Sequence, residues 1–168
     1  MIVTANSVAM LDRRDIAFPT TNSVDNTLTM VDLTTRNIRW QATGQFTAHP
    51  AANANLVFVG NDRTQQMEAR DVTTGNLAWS WALDRTQDND FLGNIIVTNN
   101  LLFVSSTRKT YAIDLNTHQT VWSYPLSGQL ALSAQGVLYI LYQKSQILTP
   151  VFNRAKLPND SVAAINLK

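Results

Sequence analysis

The residues best equipped for chemistry are few. Asp84, Asp88, Asn89 and Asp90 form the densest group of oxygen ligands in the chain. Closely spaced carboxylate and amide oxygens are what a hard cation such as calcium requires. The segment DRTQDND nevertheless lacks the turn glycine and the distal glutamate of an EF-hand loop, and it reads as a solvated loop. Of the two histidines, His49 has no other ligands nearby in sequence, and His118 falls in a repeat turn. The chain has no cysteine, which excludes thiol nucleophiles, thiolate-bound zinc and iron–sulfur clusters. No nucleophile elbow, phosphate loop or paired-carboxylate motif is present. The expectation is therefore a protein with no catalytic residues, no cofactor and no bound metal.

Charge points away from two partner classes. Thirteen basic residues against twelve acidic ones give a net charge of +1. The adjacent basic pairs are Arg13-Arg14, flanked by Asp12 and Asp15, and Arg108-Lys109. These read as solvated turns and not as the basic stripe of a nucleic-acid binder. No apolar run approaches the ~18 residues that span a bilayer. The N-terminus, MIVTANSVAMLDRR, lacks the basic and apolar regions of a signal peptide. Charged residues make up only 15% of the chain, and 19 Thr and 16 Asn take their place. That composition suits many short strands joined by turns.

The elements that would position any site are set by an internal repeat. MVDLTTRNIRW (30–40), ARDVTTGNLAW (69–79) and AIDLNTHQTVW (112–122) align without gaps, and AINLK (164–168) matches the start of a fourth copy. Asp32, Asp71 and Asp114 stand at the third position, with Asn166 in the last copy. Their separations of 39, 43 and 52 residues give a period near that of a propeller blade. An Asp at a turn entry accepts hydrogen bonds from N–H groups two or three residues on. Gly75 suits a φ > 0 position, a slot held by Arg36 and His118 in the other copies. Trp40, Trp79 and Trp122 recur as large apolar anchors, which implies packing between neighbouring blades.

Strand pairs precede each motif: FTAHPAA (46–52) and LVFVG (56–60), NIIVT (94–98) and LLFVSS (101–106), LALS (130–133) and VLYILYQ (137–143). In the first repeat SVAML (7–11) and DIAFPTT (15–21) take these places. No segment carries a helical period. The chain is thus expected to be a single all-β domain (1–168), a β-propeller of about four four-stranded antiparallel blades. The repeats cover approximately 6–44, 45–84, 91–127 and 128–168. Residues 1–5 are expected as a closing strand, completing the last blade.

The motifs resemble the repeat of the PQQ-like, or quinoprotein alcohol dehydrogenase-like, β-propellers, whose signature reads roughly Ala-x-Asp-x-x-Thr-Gly-x-x-x-Trp. The best match is Ala69, Asp71, Thr74, Gly75 and Trp79; the third copy keeps Ala112, Asp114, Thr117 and Trp122, and the first keeps Asp32, Thr35 and Trp40. The resemblance implies rings of about seven or eight blades. Three assemblies stay open: the C-terminal half of a longer chain, a half-propeller whose homodimer completes an eight-bladed ring, and a small propeller closed by its own N-terminus. The enzymes of the family use a vicinal cysteine pair, a calcium and a Trp beneath the quinone, and the absence of cysteine here argues against that branch.

One irregularity points to a partner. Residues 143–160 (QKSQILTPVFNRAKLPND) replace a connection of about five residues, and long loops in compact domains are often functional. Ile147, Leu148, Val151 and Phe152 offer apolar surface, and Arg154 and Lys156 offer charge. The functional expectation is a non-enzymatic scaffold that binds a protein or peptide. The alternatives are a fragment of a quinoprotein dehydrogenase and a small-ligand or sugar-binding propeller. By resemblance alone the compartment is extracytoplasmic, as in the propeller lipoprotein of the outer-membrane β-barrel assembly machinery.

Overall fold

Among the described residues, runs of apolar and β-branched residues between polar turns fold into fifteen strands. The computed structural model describes residues 2–3, 6–12, 25–84, 86, 88, 90–142 and 161–167, and holds no helix among them. The strands form four blades, each an antiparallel meander. Blade one comprises β1 (Ile2–Val3), β2 (Ser7–Leu11), β3 (Asn26–Asp32) and β4 (Ile38–Gly44). Blade two comprises β5 (Phe46–Ala52), β6 (Leu56–Asn61), β7 (Gln66–Asp71) and β8 (Leu77–Ala82). Blade three comprises β9 (Phe91–Val97), β10 (Leu101–Ser106), β11 (Thr110–Asp114) and β12 (Thr120–Tyr124), and blade four β13 (Gln129–Leu132), β14 (Val137–Tyr142) and β15 (Ser161–Asn166). We call the successive strands of a blade A to D.

The register corrects the first repeat. Ser7–Leu11 pairs with β3 as Leu56–Asn61 pairs with β7, so it is strand B and not strand A. Ile2–Val3 pairs with β2, taking the A position of blade one. Ile2–Val3 is therefore not part of the closing strand for the last blade expected of residues 1–5; Met1, Thr4 and Ala5 lie outside the described residues. A B strand has neighbours on both edges, and Ile2–Val3 lies next to it in sequence, so a short hairpin satisfies that edge locally. DIAFPTT (15–21) lies outside the described residues.

The core lies between blades. Ala9, Leu28 and Met30 of blade one pack on Phe46, Val57 and Val59 of blade two. Phe58, Met67 and Ala69 then meet Phe91, Leu102, Val104 and Ile113 of blade three. Phe103 and Ala112 meet Leu130, Leu138 and Ile140 of blade four. A buried side chain of these types contributes roughly 1.5–3 kcal/mol, so the stack is stabilised by what each blade presents to the next. Side-chain amides add clips. Asn26 donates to the Phe46 carbonyl (2.7 Å) and accepts from its N–H (2.9 Å). Asn94 does the same to Leu130, at 2.9 and 2.8 Å. The inner strands β5 and β9 meet in a parallel bridge at His49 and Asn94, where the His49 Nδ1 lies 3.2 Å from the Gly93 carbonyl oxygen.

Candidate functional site

The repeat motif is the best-defined constellation in the molecule. At each turn one carboxylate oxygen accepts two backbone N–H groups: Asp32 from Thr34 (2.8 Å) and Thr35 (2.9 Å), Asp71 from Thr73 (2.9 Å) and Thr74 (2.7 Å), Asp114 from Asn116 (2.9 Å) and Thr117 (2.7 Å). Bonds to the ionised form favour it. The N–H of the residue three positions on leads in holding all three carboxyls below the usual range, and Asp32, which also pairs with Arg39, falls to about 2. The turn then requires a left-handed residue. Gly75 (φ 76°) supplies it without strain, and Arg36 (φ 60°) and His118 (φ 58°) adopt it despite their side chains.

Each strand D then carries a register shift at the same place, between Met30 and Val31, between Ala69 and Arg70, and between Ala112 and Ile113 on its partner. A bulge re-aims the side chain beside it. Trp40, Trp79 and Trp122 follow the shift, opposite Met30, Ala69 and Ala112. Trp40 lies over Gly75 of blade two, where an added Cβ would stand 2.6 Å from its ring, and its Nε1–H donates to the Val72 carbonyl at 2.9 Å. Trp79 stacks on His118 of blade three, with ring centroids 4.4 Å apart. The tryptophan of one blade thus rests on the seventh motif residue of the next. The sequence placed His118 in a turn but missed its role as a platform. The signal was present, since that slot and the tryptophan recur at fixed offsets. Trp122 packs in the core between blades three and four. These residues build the stack.

The opposite ends of the strands make a second surface, from the B–C and D–A connections. Buried polar groups lie beneath it. Asn61 donates to Glu68 (2.7 Å), and Glu68 pairs with Arg70 (2.7 Å). Asp84, Thr86 and Asp90 are exposed, but Asp88 is buried, which corrects the reading of a solvated loop at that residue. Its carboxylate accepts from the hydroxyls of Ser106, Thr107 (2.8 Å) and Tyr111 (3.0 Å), all from blade three. Those donors replace the water a buried charge loses. Burial, then the bond to Asp88, pushes the Tyr111 hydroxyl well above its ordinary value. Asp84 is exposed and held low by the Thr86 hydroxyl and N–H; Asn89 lies outside the described residues.

Nearby, Asp62 accepts the Phe91 N–H at 3.2 Å, and burial raises its carboxyl above the usual range. Gln65 bridges the Asp62 carbonyl (2.7 Å) and Asp90 (3.2 Å), and Arg63 pairs with Asp25. The face therefore presents Asp84, Asp90 and Arg108 to solvent on connections tied down from below. Fixed carboxylates and a guanidinium can ion-pair with side chains and accept or donate to the backbone of a partner. Among the described residues no three His, Asp or Glu side chains converge as metal ligands. Ile147, Leu148, Val151, Phe152, Arg154 and Lys156 lie outside the described residues. Tyr142 and Ser161, which bracket them, pair at this same end of blade four.

Comparison with known proteins follows the fold. A family model described as the outer membrane protein assembly factor BamB matches residues 23–158. Among solved structures, BamB from Moraxella catarrhalis is 22% identical over 67% of this chain and 42% of its own, with a TM-score of 0.50. Hydrazine synthase of Kuenenia stuttgartiensis gives a TM-score of 0.62 at 15% identity, over 83% of this chain and 40% of its own. Hsv2 of Kluyveromyces lactis gives 0.51 at 9% identity, over 68% and 34%. These likenesses are of fold, and the chain spans less than half the length of each structure. No curated protein matches it.

Proposed function

Because the chain belongs to the family of the outer membrane protein assembly factor BamB, a family of PQQ-repeat β-propellers, we propose that it is a non-enzymatic scaffold that binds a protein partner in the cell envelope, in support of outer-membrane protein assembly. The observation that carries this reading is the loop face. Asp84, Asp90 and Arg108 stand exposed there on connections that buried Asp88 fastens to blade three. A surface that needs little ordering loses less entropy on binding, and rigid blades carrying functional loops are how such scaffolds work. The motif tryptophans are engaged between blades, which favours a scaffold over a quinone site. Among the described residues no helix is long and apolar enough to cross a membrane, so contact with the envelope would run through a partner or a segment outside them.

The test is binding of the fluorescently labelled chain to a purified outer-membrane protein assembly complex, read by anisotropy. Saturable binding, weakened about tenfold by the charge reversals Asp84→Lys and Asp90→Lys, supports the proposal; a factor of ten is about 1.4 kcal/mol. Absence of saturable binding, or quinone- and calcium-dependent dye reduction by the chain, overturns it.

A further inference from the structure

We draw no further inference here: the strongest candidate, the acidic pair of half-buried Asp62 and exposed Asp90 that Gln65 bridges on the loop face at the seam between blades two and three, is a cluster of like charges with nothing in the structure that points to a ligand for it.

Discussion

Gly75→Ala probes the blade-to-blade contact at its tightest point. The new methyl sits at φ +76°, with the Trp40 ring carbons at 2.6 and 2.8 Å. The left-handed backbone costs about 1–2 kcal/mol for a residue with a Cβ. The methyl is anchored to the turn, so the indole must withdraw. Withdrawal loses the Trp40 bond to the Val72 carbonyl, a net ~1 kcal/mol. Re-exposing on the order of 50 Å² of ring adds ~1 kcal/mol. The total is about 3–4 kcal/mol, or roughly 10 °C in Tm for a chain of this size. Urea denaturation followed by circular dichroism measures it. Trp40→Ala alone should cost about 3 kcal/mol, and in that background Gly75→Ala should retain only its backbone cost. The cycle therefore predicts a coupling of about 2 kcal/mol. A single-variant cost under about 1 kcal/mol, or coupling within the ~0.5 kcal/mol typical of independent sites, would refute the docking of Trp40 on this turn.

Arg36→Gly relieves the same backbone strain where no tryptophan of this chain covers the turn, and should stabilise by about 0.5–1 kcal/mol in the same denaturation assay. His118→Gly should show no such gain, because the stack on Trp79 goes with the ring. Asp62→Asn should raise Tm at neutral pH, since it removes a charge that burial disfavours while its side-chain oxygen still accepts the Phe91 N–H. Asp62 has a raised folded-state pKa, so ionisation of the wild type costs stability as pH rises from 3.8 through that value; the advantage of the variant should grow over this window and vanish below it. Tyr111→Phe leaves Asp88 one donor short and should destabilise by about 1–3 kcal/mol, with no loss expected if the loop were solvated.

The blades were legible because their spacing follows from the register. Asp32, Asp71 and Asp114 must open the turn, and Trp40, Trp79 and Trp122 must follow the bulge, so the repeat is nearly free of gaps. The phase of blade one was not legible. Ile2–Val3 is too short to show an alternating pattern, and Ser7–Leu11 is apolar enough to stand as either inner strand. The burial of Asp88 was hidden for another reason. Its donors Ser106, Thr107 and Tyr111 lie on the following blade, and nothing local in DRTQDND announces them. The charged rim of the loop face was not legible, because it depends on how blades two and three stack.

The central claim, that the loop face engages a protein partner, is tested most directly by site-specific photo-crosslinking in the host envelope. One probe replaces Arg108 on the loop face, and a control replaces Asn116 in a motif turn at the opposite end of the blades. The account predicts a discrete adduct with an outer-membrane assembly component from position 108 and none from position 116. No adduct from position 108, or equal adducts from both, would contradict it.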